Sequence, residues 1–187
     1  IISEQNMDII IGKPPWEKIR FEEKKFLHHF AQDTDIETRA ERRLFLQKSS
    51  QKNKEYYNEF LVDYESAKLK IKKDTFYEKS SCGELNTYAL FTELCLNSLG
   101  ETGTAGIIIK SSLVKMPVYS EFFKKLMEDH FLYELYMFVN RNKIFSIDSR
   151  EEFSVIFLKN GNNGKFGLAL NLDNFESLDS KEKIYVS

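Results

Sequence analysis

Cysteine, tryptophan and proline are scarce in this 187-residue chain, with two, one and three copies. Each scarcity excludes something. Two cysteines, Cys82 and Cys95, are too few for a disulfide framework and lack a metal-ligand spacing, so a reducing, cytoplasmic setting is expected. The histidines His28, His29 and His130 have no ligand spacing with either cysteine, and no metal site is expected. No apolar run approaches the roughly 18 residues of a membrane span. No signal-peptide pattern opens the chain, and no membrane partner is expected. An excess of one charge is missing too: 30% of residues are charged, yet the net charge is -2. That argues against a uniformly basic nucleic-acid binder and leaves room for a local basic patch. Repeats, low-complexity tracts, nucleophilic triads and nuclease motifs are all absent from the sequence.

Two of the three prolines lie together. Pro14 and Pro15 are adjacent, and the sole tryptophan, Trp16, follows at once. Ahead of them, residues 7–11 form an isoleucine-rich run closed by Gly12. Its β-branched composition predicts a short strand buried on both faces. Neither proline can donate to a sheet ladder, so the strand stops abruptly in a rigid loop. In open α/β sheets ligands bind at the carboxyl ends of strands. A stiff loop with free carbonyls beside an aromatic face suits a flat heteroaromatic ligand.

From residue 17 to residue 79 there is neither glycine nor proline, and the segment reads as helices. Tyr57, Phe60, Leu61, Tyr64, Ala67 and Ile71 recur at helical spacing. Residues 39–73 carry ten Lys or Arg against five Asp or Glu, a local charge of +5. Two readings stand side by side there: a solvated helix face, or a phosphate-contacting excursion through Arg42, Arg43 and Lys48. Ser81 and Glu84 have capping-box spacing before a predicted helix at 85–99, which Gly100 and Gly103 are expected to end. A buried strand is predicted at 105–109, with Lys110, Ser111 and Ser112 as its loop. Ser120 is expected to cap a helix at 121–129. Strands follow at 131–139 and 153–158, joined by a polar loop at 140–152. The alternation is that of an α/β protein.

At this point a family resemblance emerges. Gly12-Lys13-Pro14-Pro15-Trp16 resembles the catalytic motif of N6-adenine DNA methyltransferases, Asn/Asp-Pro-Pro-Tyr/Trp/Phe, except that Lys13 stands where the family has Asn or Asp. Three further stretches are similar to the gamma-type methyltransferases of type IIG restriction–modification enzymes. They are Leu85-Asn86-Thr87-Tyr88-Ala89-Leu90-Phe91; Gly106-Ile107-Ile108-Ile109 with Ser111-Ser112-Leu113; and Asn140-Arg141-Asn142-Lys143-Ile144-Phe145 with Asp148-Ser149-Arg150. The likeness covers roughly residues 7–160. It implies the second half of a class I, Rossmann-like methyltransferase sheet, from the fourth strand to a closing antiparallel hairpin. A helical insertion at 17–79 would follow the catalytic loop, and 161–187 would be a C-terminal extension. The family binds S-adenosylmethionine chiefly through a glycine-rich loop, and none precedes Asn6. The abrupt start suggests a piece of a longer polypeptide, with the cofactor held mainly by residues outside this chain. The implied partners are double-stranded DNA and the rest of that polypeptide.

The resemblance also assigns roles. The target adenine would be flipped into a pocket. Its amino group would donate to the Pro14 carbonyl and to the side chain at position 13, with Pro15 keeping the loop rigid. Lysine has donors and no acceptor, so Lys13 cannot take the family's role. Trp16 would stack on the base; the alternative is a core tryptophan closing the sheet edge. Phe145 would meet the base's other face, or simply anchor its loop. Ser111 would touch the base or serve the turn, and Arg141 and Arg150 would reach phosphate or remain surface groups. A chain that keeps the pocket and has lost transfer chemistry, acting as a DNA-binding or specificity module, is the competing expectation.

Overall fold

The computed structural model describes residues 6–31, 35–180 and 184–186. Residues 181–183 and 187 of the expected extension lie outside them. The chain divides into two compact units, one of residues 19–73 and one of the rest.

The larger unit is built on a six-stranded sheet among the described residues: β1 (Met7–Gly12), β2 (Leu99–Lys110), β3 (Leu132–Val139), β4 (Glu152–Lys159), β5 (Phe166–Leu172) and β6 (Ile184–Val186), in the order β1-β2-β4-β3-β5-β6. β1 runs parallel to β2, and β3 parallel to β5; β4 lies antiparallel between β2 and β3, and β6 is antiparallel to β5. The mixed α/β architecture and the antiparallel strand between β2 and β3 agree with the half-sheet expected from the sequence. β5 and β6 were not anticipated; they extend the sheet past β3 with residues expected to form an extension.

Alternation explains both faces of the sheet. Ala105, Ile107 and Ile109 of β2 are almost wholly buried, as are Ile156 and Leu158 of β4. They pack with Ala89 and Leu96 from the helix Thr87–Asn97 and with Phe122 and Leu126 from the helix Ser120–Glu128. Each of the Ile, Leu and Phe side chains among them contributes about 1.5–3 kcal/mol by leaving water. The opposite face gathers Phe138, Phe153, Tyr136, Ala169 and Leu172.

Four local expectations are corrected. β1 is not buried on both faces: Ile9 is 72% and Ile11 86% exposed, because among the described residues β1 is the sheet's edge and pairs only with β2. Gly100 and Gly103 do not end the preceding helix, which stops at Asn97; they lie in β2. At Gly103 a Cβ would come within 2.4 Å of the Met7 carbonyl oxygen, so the close approach of β1 requires glycine. The Ser81–Glu84 pair does not form a capping box, since the helix starts at Thr87 with Asn86 as its N-cap, and Glu84 pairs with Lys18 at 2.7 Å. Ser120 begins its helix rather than capping it.

The smaller unit contains helices at Glu23–Ala31, Arg39–Lys48 and Gln51–Lys73. A capping box of Thr38 and Glu41 starts the second. Leu27, Ala31 and Ile36 form a small core, and Phe21 and Phe26 pack against Tyr57 and Phe60 of the expected stripe.

Candidate functional site

The Pro-Pro-Trp loop leaves β1 at its carboxyl end, and tertiary interactions fix it. Pro14 is buried, Lys13 and Pro15 are exposed, and Trp16 is half-buried. The Trp16 indole N–H donates to the Ile108 carbonyl oxygen of β2 at 3.2 Å. Thr87 ties the loop to the following helix: its hydroxyl donates to the Pro15 carbonyl at 2.6 Å and accepts from the Glu17 N–H at 3.0 Å. The Thr87 backbone N–H donates to the Glu17 carbonyl at 2.9 Å. Thr87 lies in one of the stretches that carry the resemblance, but nothing in the sequence signals this role, which joins two segments 70 residues apart.

Phe145 arrives from the loop between β3 and β4, and an aromatic cluster forms. Phe153 lies beneath both rings, near-parallel to Trp16 with centroids 6.3 Å apart and edge-on to Phe145 at 4.9 Å. Phe138 stacks on Phe153 at 4.9 Å with an interplanar angle of 1°. Phe145 meets Trp16 edge to face at 5.8 Å and 79°. A base lying between two parallel rings needs roughly 7 Å, twice a van der Waals contact of about 3.5 Å. In this conformation, therefore, Trp16 and Phe145 adjoin rather than sandwich a gap, because their planes stand at 79° with centroids only 5.8 Å apart. The Lys13 ammonium lies over both rings, 4.7 Å from the Trp16 centroid and 5.3 Å from that of Phe145. Such cation–π interactions contribute about 0.5–1 kcal/mol each at exposed sites.

The other candidates are placed less centrally. Ser111 is 1% exposed, with its hydroxyl 2.7 Å from that of Ser154. It links the end of β2 to β4, and its carbonyl accepts from the Val114 and Lys115 N–H groups, the turn alternative of its two sequence readings. Arg141 is exposed on the turn after β3. Arg150 is committed to Asp148, at 2.9 and 2.7 Å, and these bonds hold the Asp148 carboxyl down at about 2. Among the described residues, no three His, Cys, Asp or Glu side chains are grouped to hold a metal.

In the helical unit the three basic candidates do not act together. Arg42 turns inward: its guanidinium donates to Glu23 at 2.9 Å and to the Ile36 and Glu37 carbonyls at 3.2 and 2.7 Å. Glu23 also accepts from the Tyr57 hydroxyl at 2.9 Å. Burial and this carboxylate push the Tyr57 phenol up to about 12. Arg43 and Lys48 are exposed, Arg43 beside Arg39 and Lys54 along one groove and Lys48 beside Asp35 and Glu41.

No protein-family model and no curated protein matches the chain. Solved structures do. A DrdV–DNA complex superposes with a TM-score of 0.52 and 16% identity, over 96% of this chain and 17% of that one. A nuclease-deletion mutant of the type ISP restriction–modification enzyme LlaGI, in complex with a DNA substrate mimic, gives 0.51 and 18%, over 95% and 14%. The ATP-dependent type ISP restriction–modification enzyme LlaBIII, bound to DNA, gives 0.51 and 14%, over 96% and 12%. The chain has the fold of a segment of restriction–modification enzymes. It spans less than a fifth of each of these chains. At such identities the likeness speaks for the fold, and the side chains described above carry the chemistry.

Proposed function

We propose that this chain is the catalytic-loop half of an adenine-N6 DNA methyltransferase domain within a restriction–modification polypeptide. One observation carries the reading. The Lys13-Pro14-Pro15-Trp16 loop, at the carboxyl end of β1, meets the Phe145 loop, and this happens in a fold shared with restriction–modification enzymes. Duplex DNA would be the substrate, with residues 19–73 as a helical insertion beside it. A flipped adenine would stack on Trp16 after displacing the Lys13 ammonium, and Phe145 would close the far side after turning its ring. The Pro14 carbonyl would accept a hydrogen bond from the adenine amino group.

S-adenosylmethionine would supply the methyl group. Among the described residues, β1 runs out into Lys13-Pro14-Pro15 and β2 into Ser111-Ser112, and neither turn is glycine-rich. We assign its binding to the rest of the polypeptide.

Lys13 governs how much transfer to expect. Its ammonium offers no acceptor to the adenine amino group. It also opposes the positive charge that develops there. In the complete polypeptide with DNA carrying its recognition site, Lys13→Asn should raise the rate of labelled-methyl incorporation about 100- to 1,000-fold, with DNA affinity nearly unchanged. Equal, substantial rates in the two forms would remove position 13, and the motif, from the chemistry.

The position of the Lys13 ammonium on both rings favours a second reading, a DNA-binding or specificity module that retains a base pocket without transfer. It predicts no gain in methylation from Lys13→Asn and tighter retention of an extrahelical base.

A further inference from the structure

The loop that carries Phe145 is held by one buried side chain. Asn140 is 0% exposed and directly follows β3. Its amide nitrogen lies 3.0 Å from the Phe145 carbonyl oxygen, 3.2 Å from that of Ile147 and 3.3 Å from that of Asp148. Its Oδ1 accepts the Phe145 N–H at 3.0 Å. Its backbone N–H donates to the Glu151 carbonyl at 3.0 Å and closes the neck of the loop. Two amide hydrogens therefore serve three carbonyls, one hydrogen being shared.

Asparagine suits this place chemically. One short planar group offers an acceptor and two donors together. Aspartate would keep the acceptor for Phe145 and set a carboxylate against three carbonyl oxygens. A hydrophobic residue would leave the inward-facing carbonyls unpaired, the costly case for buried polar groups. The side-chain bonds all go to the backbone of one loop, and two of the four fall on Phe145 itself. The ring's place beside Trp16 is thereby tied to the Asn140 amide.

We propose that Asn140 is the positioning residue that fixes Phe145 against Trp16. Its relevance to a nucleobase rests on the reading of those two rings as walls of a base pocket. Lacking Asn140, the loop would release Phe145, and the second wall would be lost without any change at Trp16.

The chain contains a single tryptophan, so its fluorescence reports on Trp16 alone. In the full 187-residue chain, Asn140→Ser and Phe145→Ala should each raise acrylamide quenching of Trp16 by a similar factor, and the double variant should go no further. Full additivity overturns the proposal. So does a lower Tm in Asn140→Ser with Trp16 quenching unchanged, the mark of a merely structural role. Should Asn140→Ser fail to fold, hydrogen exchange in the unsubstituted chain decides: the Phe145 amide is expected to be strongly protected, and exchange at the rate of an open loop amide overturns the proposal. A third arm uses duplex DNA with 2-aminopurine opposite a mismatch. Both variants should weaken its stacking about fivefold or more. A Trp16 response with unaltered 2-aminopurine stacking supports the clamp and sinks the base-pocket reading, so the two failures are distinguishable.

Discussion

At the scale of single residues, the site is set by where charges are committed. Lys13 is held by ring faces, whereas Arg150 and Arg42 are bound to carboxylates of their own surroundings. Arg150 is the more accessible case. The side-chain bond from Arg150 is the first cause of the low Asp148 value of about 2, and the Arg150 backbone N–H the second. A carboxyl depressed on folding adds stability above its unfolded value, near 3.9, and loses it as the pH falls through the folded one. The window for Asp148 is therefore about pH 4 down to about pH 2. Arg150→Ala should move the Asp148 titration, followed by carboxyl-carbon NMR, upward toward the ordinary 3.8. A titration still near 2 in that variant would place the cause in the backbone bond alone.

At the scale of elements, β1 and β2 have similar isoleucine-rich sequences and unlike fates. β2 lies between two strands, with Ile107 and Ile109 at 1% and 0% exposure. β1 has one neighbour among the described residues and shows water the side chains of Ile9 and Ile11. Urea unfolding of this chain should separate them. Ile107→Ala should cost about 2–5 kcal/mol, through reduced burial and the cavity left behind. Ile9→Lys or Ile11→Lys should stay within about 0.5 kcal/mol, as surface changes do. A large loss of stability from either β1 change would mean that something covers this face in solution.

At the scale of the whole molecule, the two units divide the proposed work: the sheet unit would hold the base pocket and the helical unit would meet phosphates. The inward turn of Arg42 refines how the second role is tested. Arg43→Glu with Lys48→Glu should lower non-specific duplex affinity and flatten its dependence on log salt by about one for each phosphate no longer neutralised. Arg42→Glu should instead destabilise the helical unit, because it breaks the bonds to Glu23 and to the two carbonyls. Salt-titrated fluorescence anisotropy measures the first effect and circular dichroism the second. An unaltered salt slope in the Arg43/Lys48 variant would return this surface to plain solvation.

Much of this molecule follows from its sequence alone. The apolar runs at 105–109 and 153–158 specified strands, and the lack of glycine and proline after Trp16 specified helices. The chemistry of Lys13, a donor without an acceptor, follows from the residue type itself. Local sequence decides these things because periodicity and functional groups are properties of neighbouring residues. The tertiary structure alone decided that β1 lies at an edge, that Gly103 admits the Met7 carbonyl, and that Ser111 faces Ser154. It alone showed that Phe145 meets Trp16 edge-on and that Asn140 holds its loop. Burial and orientation depend on partners brought from far along the chain, as Trp16 finds Ile108 across 92 residues. No window of sequence contains both.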